Sequence, residues 1–335
     1  MLKVTIYDVA KRAGVGTTTV SRVLNSPDTV AAETRERVLA AIDELGFVPK
    51  FEALVRARKQ LRRIGILTPF VTSASFTEQL NGIRAALTEQ PFELVIYDFI
   101  SAAQGDALLT KIVLTHMVDG LIVAFPFGDA AARRLETHRL PLVQRTLPND
   151  PRISTFASIV SEDMAVGGRM AAEYLLERGH RRLGFVGDSG VPGSLVDTSA
   201  MKLDGFRQRL AEAGVSLPDA YVGRAPFGME QACEQARHLL KLPQPPTAIF
   251  AASDTQAIGV LRAARECGIA VPAELAVMGF DDVEIAEFIG LTTIAQGLKD
   301  SGRLAVQLLL AQFAEDVTVP QRIDLPFTLI RRETA

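Results

Sequence analysis

The sequence predicts a small all-α head followed by a larger α/β body of two lobes built on doubly wound parallel sheets. Three observations predict it. At 335 residues the chain exceeds what one ordinary core organises. Its first 48 residues place apolar side chains at helical spacing only. From Arg63 onward, short apolar runs alternate with helical stripes, the pattern of repeated strand–helix units.

The head comes first. Thr5 can cap a helix with Asp8 in the reciprocal position, and Ile6, Val9, Ala10 and Ala13 form its apolar face. Gly14 breaks this helix and Val15 points back to the core. A second helix is expected from about Gly16 to Leu24, burying Val20, Val23 and Leu24 and presenting Thr17, Thr18, Ser21 and Arg22 outward. A third is expected from about Ala32 to Leu45, with Thr34, Val38, Ala41, Ile42 and Leu45 inward and Gly46 as its stop. Two helices across a tight Gly-containing turn, the second with a polar outer face, describe a helix-turn-helix. The same spacing also suits a plain three-helix cap, since hydroxyl residues commonly begin helices.

Charge bears on the choice. The whole chain carries −3, which disfavours nucleic acid. Residues 1–63, however, hold twelve Lys/Arg against seven acids, a net +5, leaving −8 on the rest. A basic module on an acidic body suits a polyanionic partner. Solvated helices can show the same clustering. Cys233 and Cys267 make no disulfide framework, and both are expected as buried thiols in a reducing cytoplasm. The N-terminus has no signal-peptide run, and no apolar stretch approaches the roughly 18 residues of a membrane span, so a soluble cytoplasmic protein is expected.

In the body, strands are expected at Ile64 to Leu67, Leu94 to Tyr97, Leu121 to Ala124, Leu142 to Gln144, Leu183 to Val186, Ala248 to Phe250 and Leu275 to Met278. Stripes such as Leu80, Ile83, Leu87 and Met170, Ala171, Tyr174, Leu175 mark helices between them. These are too many strands for one compact sheet. Two similar halves are expected, joined near Ser154 to Asp163 and near Thr292 to Leu298, with any ligand outside the carboxyl ends of the strands.

At this point the sequence resembles a known family. TIYDVAKRAGV and TTTVSRVLN, continuing without a gap to Pro49, resemble the DNA-binding head of LacI-family transcription repressors. VDGLIV, ERGHRRLGFV, PTAIFAASDTQAIG and ELAVMGFDD extend the resemblance over the body, which is also distantly similar to two-lobed periplasmic sugar-binding proteins. The resemblance implies that Thr17, Thr18 and Arg22 read base edges, Arg22 through its guanidinium fork. It implies that Thr5, Tyr7, Thr19, Ser21, Asn25 and Thr29 hold phosphates. Gly16 departs from the usual Ser, and Ala31 from a frequent Ser before the third helix.

The segment 50–63, KFEALVRARKQLRR, corresponds to the family's hinge, which becomes helical on DNA and wedges a Leu into the minor groove. Here Ala53 is kept, but Arg56 stands at the wedge position, leaving Leu54 and Val55 as apolar alternatives. A flexible basic linker is the competing reading.

For the effector, the resemblance implies Asp281 as a hydroxyl acceptor, with Phe76 and Phe227 as stacking rings and Lys202 where relatives carry Arg. Arg145, Gln296 and Ser253 follow strands and can reach the cleft; Ser73 and Thr198 complete the set. Asp254 and Asp282 are expected to cap helices instead. The loop GFVGDSG (Gly184 to Gly190) lines the cleft and matches no phosphate-binding motif. Four scattered histidines offer no metal spacing, and no nucleophile elbow exists.

The expected protein is therefore a homodimeric, non-enzymatic repressor with no cofactor. It binds a near-palindromic operator and a small polar effector, most readily a sugar. A purine effector or corepressor, and a sugar-handling enzyme with an appended head, are the alternatives. The expected division is a head at 1–49, a linker at 50–63 and a body at 64–335. Its first lobe is placed at about 64–158 and 296–318, its second at about 159–292 and 319–335. Some relatives gain a tetramer through a C-terminal heptad segment, which this chain lacks after Arg331 to Ala335; hence the dimer.

Overall fold

The computed structural model describes residues 4–25, 29–45, 47, 62–115, 117–145, 157–194, 196–314 and 319–335. Contacts divide the chain into a head (Met1–Arg63, with Pro91–Glu93) and a body (Ile64–Gln90 and Leu94–Ala335).

The head contains α1 (Ile6–Ala13), α2 (Thr17–Asn25) and α3 (Ala32–Leu45). Thr5 starts α1 by donating its backbone N–H (2.8 Å) and its hydroxyl (2.6 Å) to the Asp8 carboxylate. These two bonds hold the Asp8 carboxyl below its ordinary value. Gly14, at φ +67, reverses the chain, and Val15 N–H returns to the Ala10 carbonyl. Gly16 occupies the cap of α2 without a side chain, its carbonyl accepting from Thr19 and Val20 N–H. Val9, Val20 and Val38, one from each helix, are wholly buried, joined by Ala10, Ala13, Val23, Ala41 and Phe47. Each buried Val contributes roughly 1.5–3 kcal/mol. Phe47, just past α3, completes this core without belonging to any helical stripe.

The body is built on two sheets. The first uses β1 (Arg62–Thr68), β2 (Phe92–Asp98), β3 (Gly120–Val123), β4 (Leu142–Arg145), β5 (Ser158–Ser161) and β11 (Arg322–Asp324), in the order β11-β5-β4-β3-β1-β2. The second uses β6 (Leu183–Asp188), β7 (Val222–Ala225), β8 (Ala248–Ala251) and β9 (Ala276–Met278), in the order β7-β6-β8-β9. A small antiparallel pair, β10 (Thr293–Ala295) with β12 (Thr328–Ile330), completes the strands described.

Helices cover both sheets: α4 (Ala74–Leu87), α5 (Ala102–Thr115), α6 (Asp129–His138) and α12 (Leu298–Phe313) with the first, and α7 (Met164–Glu177), α8 (Thr198–Glu212), α9 (Met229–Leu240), α10 (Asp254–Glu266) and short α11 (Glu284–Phe288) with the second. Three helix pairs meet backbone to backbone among the described residues, α9 with α10 through Gly259 and Met229 and two more closely. A Cβ on Gly82 of α4 would lie 1.9 Å from the Lys299 carbonyl oxygen of α12, and one on Gly168 of α7 would lie 1.9 Å from that of Lys202 on α8. The second core is aromatic: the Phe206 and Phe250 ring centroids lie 5.2 Å apart and those of Phe185 and Phe250 5.6 Å.

Several expectations are corrected. The first sheet extends through Ser161 and through Asp324, because β5 pairs with β4 and with β11. The lobe boundaries set at 158/159 and 318/319 therefore fall too early. Strands β5, β7, β11 and β12 were not foreseen; each has three or four residues, too few for a periodic signal. Arg62 and Arg63 open β1 rather than closing the linker. Cys267 is exposed at the end of α10, whereas Cys233 is buried as expected. No helix among the described residues is long and apolar enough to cross a membrane.

Candidate effector site and DNA-reading face

The second sheet concentrates chemistry at its carboxyl edge. Register aligns Phe185 of β6, Phe250 of β8 and Met278 of β9. Three residues beyond that row stand Asp188, Ser253 and Asp281. Lys202, on the first turns of α8, reaches the same edge. Its ammonium donates to the Ala252 carbonyl at 2.8 Å and lies 3.9 Å from the centroid of the Phe280 ring. Burial lowers the ammonium's pKa, and Asp281, Asp188 and Asp254 oppose that shift.

Asp281 is only 8% exposed, and its backbone is held at φ +115. An L-residue there is strained by roughly 1–3 kcal/mol. The conformation persists because its N–H donates to the Ile294 carbonyl at 2.9 Å and its carboxylate accepts from the Gln296 amide. Burial pushes its pKa up to about 6 against the pull of Lys202 and Gln296. The Ile294 and Gln296 bonds, not the strain, keep the carboxylate buried, where its charge acts on Lys202.

Asp254 does not cap α10. Ser253 is the cap, its hydroxyl accepting from Gln256 N–H at 3.2 Å. Asp254 is fully buried and accepts from the Thr293 hydroxyl (2.6 Å) and Val283 N–H (2.9 Å), tying β10 to the end of β9. Burial and the nearby Asp281 push its pKa up to about 8. Asp282 is likewise no cap; it pairs with Arg332 at 2.8 Å, and Val283 precedes α11.

Asp188 was not singled out by sequence, although an acid directly after the apolar run LGFVG is the signal that could have found it. It is half-buried, accepts from Gly190 N–H at 2.9 Å, and lends its carbonyl to Arg224. Burial raises its pKa, partly countered by the Gly190 bond and by Lys202.

Structure thus brings Lys202, Asp281 and Gln296 together, with Ser253 beside them. Thr198 begins α8, and Phe227 stands half-exposed before α9. Ser73, Phe76 and Arg145 belong instead to the first sheet's half. Ser73 caps α4, accepting from Phe76 N–H at 3.1 Å and donating to the Phe70 carbonyl at 2.8 Å. Phe76 is buried. Arg145 ends β4 at 4% exposure, donating to the Ser301 hydroxyl at 2.5 Å and lying 4.0 Å from Glu162. Desolvation lowers its pKa, and Glu162 offsets part of that.

In the head, α2 presents Thr18 and Arg22 to solvent, four residues apart on one face. Thr17, Thr19 and Ser21 are half-buried along its sides, and Asn25 is its last residue. Thr5, Tyr7 and Thr29 are exposed. Ala53, Leu54 and Arg56 lie outside the described residues.

Both the head and the body are similar to known proteins. Residues 5–50 match the family described as bacterial regulatory proteins, lacI family, and residues 172–335 match the periplasmic binding protein-like domain. The HTH-type transcriptional repressor PurR of Escherichia coli is 32% identical over 98% of this chain and 96% of its own length. A solved structure described as a transcriptional regulator CelR–cellobiose complex is 30% identical, covering 99% of this chain and 100% of that one, with a TM-score of 0.70. A LacI-family transcriptional regulator from Silicibacter pomeroyi is 25% identical over 99% of both chains, with a TM-score of 0.73. This chain belongs to the LacI family of bacterial regulatory proteins, and it is a DNA-binding transcriptional regulator under small-molecule control.

Proposed function

We propose that the protein is a repressor without enzymatic activity, acting on operator DNA in the cytoplasm, whose operator affinity is set by a sugar bound at the carboxyl edges of the two sheets. The observation that carries this reading is the preassembled group of Asp281, Gln296 and Lys202. A carboxylate, an amide and an ammonium at one edge form a donor–acceptor set suited to vicinal hydroxyls. The strained backbone of Asp281 supports the same reading, because strain of this kind collects at functional sites. The 30% identical CelR structure, which holds cellobiose, supports a sugar.

On DNA, two heads of a homodimer meet half-sites of a near-palindromic operator. Arg22, Thr18 and Thr17 face base edges, and Thr5, Tyr7, Thr19, Ser21, Asn25 and Thr29 set register on phosphates. Control requires the effector to favour one arrangement of the two halves of the body. A coupling of about 1–3 kcal/mol suffices. One closing contact is present: Ala102 N–H, opening α5, donates to the Pro192 carbonyl of the β6–α8 loop at 3.1 Å.

Likeness to PurR favours a second reading, a purine or nucleoside stacked on Phe227. One experiment separates the two: thermal shift of the full-length protein with cellobiose, glucose, ribose, adenine and guanine, then operator binding with each stabilising compound. Asp281→Ala should abolish the response and leave operator binding intact. A normal dose-response in that variant removes Asp281 from the site.

A further inference from the structure

We propose that the effector is uncharged, and that Asp188 contacts it directly and rejects anionic sugars. This deepens the effector reading above and rests on it. The Lys202 ammonium is anchored at Ala252, past the end of β8, the strand lying between β6 and β9. Asp188 ends β6, and Asp281 lies three residues past the end of β9. Two strand spacings separate them by roughly 10 Å. That span accommodates a hydroxylated six-membered ring with a hydrogen bond of about 2.8 Å at each end.

One ammonium between two carboxylates leaves this edge net negative. Three further cations among the described residues are already engaged. Arg224 holds the Asp188 carbonyl and the Asp197 carboxylate, Arg145 holds Ser301 beside Glu162, and Arg332 holds Asp282 and the Leu291 carbonyl. Among the described residues, therefore, a phosphate or carboxylate entering here meets two acids and cations that already have partners. Coulomb repulsion at this range is little screened in a half-buried site. A hydroxyl is accommodated because it can donate to Asp188 or Asp281 and accept from Lys202. Asp188 suits direct contact because it is half-exposed, whereas Lys202 and Asp281 are nearly covered.

The test is calorimetry on the full-length protein with matched pairs: cellobiose and cellobionate, glucose and glucose 6-phosphate, ribose and ribose 5-phosphate. The neutral member of any pair that binds should bind at least tenfold more tightly than its anionic partner. Asp188→Asn should weaken the neutral member about tenfold or more and narrow the gap within the pair. An anionic partner that binds as tightly as the neutral sugar, or tighter, overturns the proposal. So does a folded Asp188→Asn protein with unchanged affinities. The wild-type comparison decides the charge rule even if the variant fails to fold. A panel in which no sugar binds overturns the underlying effector reading, and this inference falls with it.

Discussion

Substituting Gly168 by Ala tests whether the effector edge depends on the closeness of two helices. Gly168 lies on α7 against α8. An added Cβ would sit 1.9 Å from the Lys202 carbonyl oxygen, 2.8 Å from its carbon and 3.0 Å from the Phe206 nitrogen. An ordinary C···O approach is about 3.3 Å. Because these are backbone atoms, no rotamer change relieves the overlap, and α8 must retreat by more than about 1 Å. Overpacking costs typically 1–3 kcal/mol, and a backbone clash belongs at the upper end. Replacing Gly in a helix returns about 1 kcal/mol. The net loss is about 2 kcal/mol, which lowers the melting temperature of a domain this size by about 4–8 °C. The residue struck is Lys202 itself. Its ammonium is drawn away from Ala252, so effector affinity should fall while operator affinity is kept. Thermal denaturation by circular dichroism, with effector titration and operator gel shift, reads all three. Gly184→Ala serves as control, since its Cβ meets only side-chain atoms, at 3.3 Å or more. A Gly168→Ala protein that melts within about 1 °C of wild type, with unchanged effector affinity, would refute the argument that this helix contact positions Lys202.

Three further outcomes are expected. Arg22→Ala should cost about 1–3 kcal/mol on the operator and relax its specificity; an equal loss on random DNA in the same gel shift would make Arg22 a phosphate contact. Asp254, raised to about 8 in the folded body, keeps its proton where the unfolded chain has lost it. Its contribution is therefore fully present below about pH 4 and is lost as pH rises towards 8, at up to about 1.4 kcal/mol per pH unit. Melting temperatures from pH 5 to 9 should decline less in Asp254→Asn than in wild type; parallel curves would place the titration elsewhere. Gly16→Ser should stabilise the head by a few tenths of a kcal/mol, because the cap position is open and a hydroxyl there can accept from the first turn of α2; loss of head stability in denaturant melts would show the cap geometry to be wrong.

Much of the architecture was legible because its causes are local. Thr5 and Asp8, Gly14 and the spacing of Val9, Val20 and Val38 act within a few residues, and they delimit the head helices nearly as expected. Alternating strand and helix runs likewise announced two parallel sheets. Asp281 and Lys202 were reached by resemblance, and the structure brings them to one edge with Gln296. Ser73 and Ser253 were chosen as ligand groups, and their hydroxyls also cap α4 and α10, each through the amide three residues on, a local pattern that went unread. Another assignment needed neighbours that no local pattern names. Asp254 was chosen as a cap, yet it joins β10 to the end of β9.

By itself, the sequence determined the helical head, the two-sheet body and the identity of the chain as a DNA-binding regulator, since periodicity, turn residues and motif are properties of contiguous residues. Tertiary structure alone decided which strand each three-residue segment joins, which acids surround Lys202, and that Asp188 and Asp281 come at or after the ends of the two strands on either side of β8. Strand order brings together residues some ninety positions apart, Asp188 and Asp281 among them. Their charge, burial and partners follow from that order, not from the residues beside them in the chain.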